Sequence, residues 1–132
     1  MSSASGKIVY NILSNDAGVT ALVSTRIQPG RANQKDPMPA IVYNIISVNP
    51  TDHKDSASAK DVARVQVFSY DVKALSAFDL AEAVRDAMDR KAPGSYGGET
   101  LVELRFEDMD SDYDESTNVH YVRQEYLVTY TR

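Results

Sequence analysis

The sequence predicts an α+β fold in which helices pack on one face of a β-sheet of about four strands. The sheet is predicted to be antiparallel, and a mixed sheet is the alternative. Apolar residues recur at helical spacing in three segments and alternate with polar residues in others. The predicted elements follow the order α-α-(β)-β-β-α-β-β, with a long C-terminal hairpin, and an antiparallel sheet covered on one side accommodates this order economically. The length of 132 residues indicates a single domain, 1–132.

The first two elements are predicted to be helices. Residues 3–14 form the first, with Ser3 or Ser5 as its cap, and its apolar stripe comprises Ile8, Val9, Ile12 and Leu13. After Asn15-Asp16, a second helix spans 17–23 and offers Val19, Leu22 and Val23 to the same core. A short strand at 25–28 is a weaker prediction, and it ends at the turn signal Pro29-Gly30.

Two strands follow, each next to a polar loop. The almost wholly apolar segment 40–48 predicts a central strand, and 62–70 alternates in the manner of a strand with one buried face. The preceding loop, 29–38, and the connecting loop, 49–61, are rich in polar residues, and the second is too long for a tight hairpin.

The longest helix is predicted at about 73–90, with Asp71 as its N-cap. Its apolar face is predicted to comprise Leu75, Phe78, Ala81, Val84 and Met88, flanked by Leu80 and Ala87. Pro93-Gly94 ends it.

The last two strands are predicted to form the hairpin. Strand 100–107 alternates, with Val102, Leu104 and Phe106 on its inner side. In strand 119–131 the predicted inner residues are Val122, Tyr126, Val128 and Tyr130.

Composition excludes several classes of function. The net charge of −5 argues against a duplex nucleic-acid binder, which needs lysines and arginines to displace counterions. The absence of cysteine excludes disulfides and thiolate metal sites. The N-terminus lacks the pattern of a signal peptide, and no apolar run approaches the length of a membrane span, so we expect no membrane partner.

The most unusual segment is FEDMDSDYDEST, residues 106–117, which contains D-x-D-x-D. An EF-hand calcium loop starting at Asp108 would need glycine where Tyr113 stands and glutamate where Val119 stands. Three interpretations remain: a solvated hairpin tip, an electrostatic surface facing a partner or a channel, and a metal site.

No catalytic constellation is evident elsewhere in the sequence. His53 and His120 lack triad spacing, and Ser56 and Ser58 are not set in a nucleophile motif. Gly97-Gly98 precedes a strand and does not open a helix as a phosphate loop would.

Several phrases, taken together and in this order, resemble the tail-completion (tail terminator) proteins of long-tailed bacteriophages and prophages. They run over nearly the whole chain: IVYNILSNDAGVTALVSTRIQPGRA, PMPAIVYNIISVNPT, ASAKDVARVQVFSYD, LAEAVRDAMD and VELRFEDMDSDYDEST. The resemblance implies a structural protein of the virion, made in the bacterial host cytoplasm, with no enzymatic activity and no cofactor.

The resemblance further implies a homo-oligomer, a hexameric ring at the head-proximal end of the tail tube. Such a ring stops tube polymerisation, contacts the tail tube protein and the head-tail connector or neck protein, and lets genomic DNA pass without specific binding. Two groups of residues are candidates for these contacts. The loop group comprises Arg31, Lys35, Asp36, Asp52, Lys54, Asp55 and Lys60, and the acidic group comprises Glu107, Asp108, Asp110, Asp112, Asp114 and Glu115.

Three alternatives are left open by the sequence. One is a head-tail connector or neck protein of similar size. The others are a small metal-dependent hydrolase that uses the acidic segment, and a monomeric ligand-binding domain.

Overall fold

A computed structural model describes residues 4–30, 37–51 and 59–132 of the chain. Within these residues the helices and strands follow in the order α1 (Ala4–Ser14), α2 (Ala17–Val23), β1 (Ile27–Pro29), β2 (Ala40–Pro50), β3 (Lys60–Asp71), α3 (Ala74–Met88), β4 (Gly94–Tyr96), β5 (Glu99–Asp114) and β6 (Val119–Thr131). The order of the main elements and the α+β class agree with the prediction.

The strands form one mixed sheet with the order β1-β2-β3-β6-β5-β4. Strand β1 runs parallel to β2, and the other neighbours are antiparallel. The prediction of about four strands is therefore too low, because two short edge strands, β1 and β4, complete a sheet of six. Strand β4 was missed because it has only three residues, and the two-residue turn Gly97-Gly98, with both φ angles positive, folds it onto β5.

The core lies between the helices and the inner face of the sheet. Its largest fully buried side chains come from α1, α3 and the strands, and they include Ile8, Leu13, Leu80, Met88, Leu104 and Tyr126. Strand β2 lies between β1 and β3 and is therefore internal, as its apolar sequence predicts. None of the described helices is long and apolar enough to cross a membrane.

The prediction that Asp71 caps α3 is wrong, and of the two predicted caps of α1 only Ser5 can be assessed. Ser5 is buried inside α1 and does not cap it, whereas Ser3 lies outside the described residues. Asp71 ends β3 opposite His120, and its carboxylate accepts a hydrogen bond from Val72 N at 2.7 Å, so it lies too early in the chain to cap α3. Asp16 instead caps α2, since its Oδ2 accepts from Val19 N at 3.0 Å.

The predicted buried face of α3 is rotated relative to the observed one. The residues that α3 buries are Ala77, Leu80, Ala81, Val84, Ala87 and Met88. Leu75 is 79% exposed and Phe78 is 39% exposed. Leu22 of α2, also predicted to be in the core, is exposed too. Small alanines allow close contact of α3 with the sheet, whereas Leu75 and Phe78 point away from it.

The hairpin is longer than predicted on one side and irregular. Strand β6 has the predicted bounds and buries the predicted residues, whereas β5 extends to Asp114. The register of β5 on β6 shifts between Leu101 and Glu103 and again between Phe106 and Asp108. Leu101 and Leu104 are consequently the buried residues of β5, because the first bulge, at Val102, reverses which parity of residue faces inwards. Phe106 faces inwards as predicted and packs edge-on against Tyr126, although it is only half-buried.

Candidate assembly surfaces

Most of the acidic segment lies along a strand, and only its end lies at the hairpin tip. Residues 106–114 belong to β5, and the chain turns at 115–118. The solvated tip therefore comprises only residues 115–117 of the segment, while residues 107–113 are exposed along the strand. Because side chains alternate along a strand, Asp108, Asp110 and Asp112 share the outer face of the sheet, opposite the helices.

Two of these aspartates join an ion-pair network centred on Arg123 of β6. The Arg123 Nη2 atom donates to Asp110 Oδ2 at 2.6 Å and lies 3.3 Å from Asp108 Oδ2. Its Nη1 atom donates to Glu125 Oε2 at 2.8 Å, and the other oxygen of Glu125 accepts from Arg64 Nη1. The charges thus alternate in sign across β3, β6 and β5, which fixes the relative positions of three strands.

The network shifts the ionisation of its members. Hydrogen bonding to Arg123 lowers the pKa of Asp110 below its ordinary value. The pKa of Glu125 is lowered by its hydrogen bond to Arg64 and then by that to Arg123. Asp110 and Glu125 in turn raise the pKa of Arg123. Asp110 and Glu125 therefore remain charged at neutral pH, as their ion pairs require.

Two of the aspartates also bond to the backbone of their own strand. Asp108 Oδ1 accepts from Met109 N at 2.9 Å, and Asp112 Oδ1 accepts from Tyr113 N at 2.8 Å. Strand β4 pairs only with the start of β5, up to Leu101, so the amides farther along the outer edge have no strand partner among the described residues. The aspartates thus occupy amides to which another chain would otherwise bond.

The remaining acids of the segment do not converge on a common point. Glu107 lies 4.0 Å from Arg105, and Asp114 accepts from both the amide and the hydroxyl of Ser116, which lowers its pKa. Across residues 4–30, 37–51 and 59–132, no group of three or more histidines and carboxylates is placed to hold a metal ion. The described geometry thus offers the proposed hydrolase no metal site in this segment.

Of the two histidines, only His120 lies within the described residues. The rings of His120 and Tyr113 are in tilted contact with their centroids 4.6 Å apart, and the Tyr113 hydroxyl donates to Asn118 at 2.8 Å. His53, Ser56 and Ser58 lie outside the described residues.

Most of the predicted loop group also lies outside the described residues: Arg31, Lys35, Asp36, Asp52, Lys54 and Asp55. Lys60 is described. It opens β3 opposite Thr131, at the end of the sheet away from the turn of the hairpin. The structure therefore does not bring Lys60 together with the acidic group.

A surface that the sequence did not predict lies at the N-terminal end of α3. Val72, Leu75 and Phe78 are 58%, 79% and 39% exposed, and we call these three residues the ridge. Apolar side chains exposed together on a helix mark a contact site more often than a single exposed leucine does. The helical pattern did predict that Leu75 and Phe78 are buried, but the prediction placed them in the core of a single chain and not at a contact with another chain.

A groove runs along each side of the ridge. The first, of about 290 Å³, lies between α3 and the hairpin and is lined by Ala74, Ala77, Phe78, Ser111, Asp112, Tyr113, His120, Tyr121 and Val122. The second, of about 260 Å³, lies between α3 and α2 and is lined by Ala21, Leu22, Pro39, Asp71, Ser76, Asp79 and Leu80. Apolar and polar side chains line both grooves, and among the residues that the structure describes no lysine or arginine lines either of them.

Comparison with known proteins points to one family. The family model described as tail completion protein gp17 matches residues 7–131. No curated protein matches the sequence. Among solved structures, 35 chains are similar, and one of them belongs to the virion of a native gene transfer agent particle. That chain is 20% identical, each chain covers 100% of the other, and the TM-score is 0.73, which shows a shared fold.

Proposed function

Because this chain belongs to the tail completion protein gp17 family, we propose that it forms a closed ring, hexameric as the resemblance implies, at the head-proximal end of a tail tube and thereby ends tube growth. Family membership makes it a tail completion protein and places it in the tail of the virion. The match over residues 7–131 is the observation that carries the proposal, since it includes every described strand and nearly all of α1.

The mechanism rests on a contact between identical copies. Each subunit presents one surface to its neighbour and a different surface to the next, and such a head-to-tail contact closes into a ring when the rotation allows it. One side of the ring binds the last layer of tail tube protein. The other side offers no tube-like surface, so the tube cannot grow past it, and the head-tail connector or neck protein binds there.

The acidic arm, residues 107–115, supports a role at the lumen or towards an axial partner. It bears Glu107, Asp108, Asp110, Asp112, Asp114 and Glu115, and its outer edge has no strand partner in the described part of the chain. Carboxylates along a channel would repel the phosphates of passing DNA, which keeps the genome from sticking. The loop group, including Lys60, is proposed as a second contact surface that orders on assembly.

The length of tail tubes tests the proposed function. Tubes assembled from tube protein and its length regulator without this chain should overgrow, whereas tubes assembled with it should end at one length and carry a ring at one tip. Electron microscopy measures both features. A uniform tube length in the absence of this chain would overturn the proposal.

Charge reversal tests the role of the acidic arm. Glu107→Lys with Glu115→Lys changes two exposed carboxylates outside the Arg123 network, and the matched control is Glu107→Gln with Glu115→Gln. We expect both variants to complete tails, and only the reversed variant to deliver DNA poorly, with infectivity at least about tenfold lower because cations bind phosphate. Equal infectivity of both variants would remove the arm from the DNA path.

A further inference from the structure

The ridge needs a partner that the single chain does not supply. Leu75 has the apolar side chain with the greatest exposure of the three, and it lies on the same helix face as Phe78, one turn apart. When a helix face has the apolar pattern of a buried face but is exposed in the folded chain, we expect a second molecule to cover it.

The grooves determine the chemistry of that partner. Asp71 and the exposed Asp79 line one groove, and within residues 4–30, 37–51 and 59–132 no lysine or arginine lines either groove. A partner that covers the ridge must therefore bring apolar surface and cations together, because carboxylates at the rim of an apolar contact favour a basic counterpart.

The opposite end of α3 has this character. Arg90 N bonds to Leu104 O at 2.9 Å, and Lys91 Nζ lies 5.8 Å from the centre of the Tyr96 ring. The backbone of Lys7 lies against the β4–β5 turn at Gly97. The basic end, as we call it, comprises Lys7, Arg90, Lys91 and Arg105, together with the exposed Pro93 and the ring of Tyr96.

The cations of the basic end are available for a contact. The pairs Lys7–Glu99 and Arg105–Glu107 are long, at 3.8 and 4.0 Å, and lie at the surface, where ion pairs contribute little. Arg90 makes no ion pair with any residue in the described part of the chain.

The ridge and the basic end cannot meet within one copy. Helix α3 has 15 residues and separates them by about 22 Å, since a helix rises 1.5 Å per residue. Two complementary surfaces at opposite ends of one element are what a head-to-tail contact between identical copies requires.

We propose that the ridge and its two grooves bind the basic end of a second copy of this chain. The inference rests on the proposed function, and it assigns the residues of the contact between neighbouring subunits in the ring. The ridge supplies the apolar centre of the contact, and Asp79, exposed on α3 beside the ridge, faces the cations of the neighbour.

Two broken surfaces test the proposal. Leu75→Glu spoils the ridge, Lys91→Glu with Arg105→Glu spoils the basic end, and Ile46→Glu, at an exposed residue of β2, is the matched control. Light scattering at increasing concentration measures association, and thermal unfolding checks that each variant is folded. We expect the wild type and Ile46→Glu to form rings, and each of the two broken variants alone to remain a monomer.

Mixing the two broken variants gives the sharpest result. Each mixture retains one intact ridge and one intact basic end on different copies, so we expect dimers that do not grow into rings. Rings formed by Leu75→Glu alone, or a mixture without dimers, would overturn this inference while leaving the proposed function intact. If Leu75→Glu forms rings that fail to cap tubes, the ridge faces the tube and the inference is wrong. Failure of the wild type to form rings would overturn the proposed ring itself, and the inference with it.

Discussion

At the scale of single residues, the interior combines tight apolar packing with polar atoms that lack partners. Tyr126 is fully buried, its ring packs edge-on against Phe106, and its hydroxyl has no hydrogen-bond partner in the described part of the chain. Burial raises the pKa of Tyr126, so the phenol stays neutral. A buried hydroxyl without a partner costs free energy, which the packing of the ring must offset.

Removing that hydroxyl should stabilise the protein. We expect Tyr126→Phe to raise the free energy of unfolding by about 1 kcal/mol, because the ring contacts remain and an unsatisfied polar atom is lost. Chemical denaturation measures the change. Tyr121→Phe, on the half-exposed outer face, is the control and should change stability by less than about 0.5 kcal/mol. A destabilised Tyr126→Phe would show that the hydroxyl has a partner.

The Arg123 network should make stability depend on acid pH. The pKa values of Glu125 and Asp110 are lower in the folded chain than in the unfolded one. Their contribution is therefore fully present above the ordinary carboxyl pKa, and it is lost as the pH falls below about 4.5 through the folded values. We expect Glu125→Gln to cost about 1 kcal/mol at pH 7 and to reduce the loss of stability between pH 5 and pH 3. Glu82→Gln, exposed on α3, is the control, and an unchanged acid profile in Glu125→Gln would contradict the assignment.

At the scale of elements, the sequence predicts most where its pattern is regular. Strand β6 alternates between buried and half-buried residues from Val122 to Thr131, and its bounds and the burial of the four predicted inner residues are as expected. Strand β5 departs from its pattern because two bulges shift its register, and a bulge leaves no mark in a sequence whose extra residue is an ordinary Val102 or Glu107.

The candidate surfaces were predicted only in part, for a related reason. The composition of the acidic segment drew attention to it, but its role on a strand edge depends on the length of β5. Leu75 and Phe78 of the ridge were predicted to belong to the core because helical periodicity identifies the apolar face of a helix. Periodicity does not show whether that face is buried by the same chain or by another one. Leu75 and Phe78 satisfy the pattern equally well in either case.

The aspartates of β5 should protect the chain from edge-to-edge pairing. We expect Asp108→Val with Asp112→Val to free the amides of Met109 and Tyr113 and to add apolar, strand-forming side chains at an open edge. Light scattering and a fibril-binding dye should report faster aggregation at elevated temperature. A similar substitution in the turn, Glu115→Val, leaves those two bonds intact and is the control. Equal aggregation of both variants would contradict a protective role for the two aspartates.

At the scale of the whole molecule, charge is distributed unevenly along the direction of α3. Asp71 and Asp79 lie at one end of α3, and Lys7, Arg90, Lys91 and Arg105 lie at the other, where Glu99 and Glu107 are near Lys7 and Arg105. Identical copies with opposite charges at opposite ends attract in one relative orientation and repel when like ends approach. The orientation that charge favours is the head-to-tail one on which a ring depends.

Assembly of the ring should therefore weaken with salt without being abolished by it. Charge pairs at the edge of the contact are screened over about 10 Å at 0.1 M salt and about 3 Å at 1 M, whereas burial of the ridge is not screened. We expect the concentration at which half of the wild-type chains are assembled to rise several-fold between 0.05 and 0.5 M sodium chloride, as measured by analytical ultracentrifugation. Asp79→Asn removes an exposed carboxylate from one groove and should assemble more weakly at low salt, with a smaller dependence on salt. If the wild type assembles better as salt increases, or if the variant keeps the full salt dependence, the grooves do not face the basic end of a neighbour.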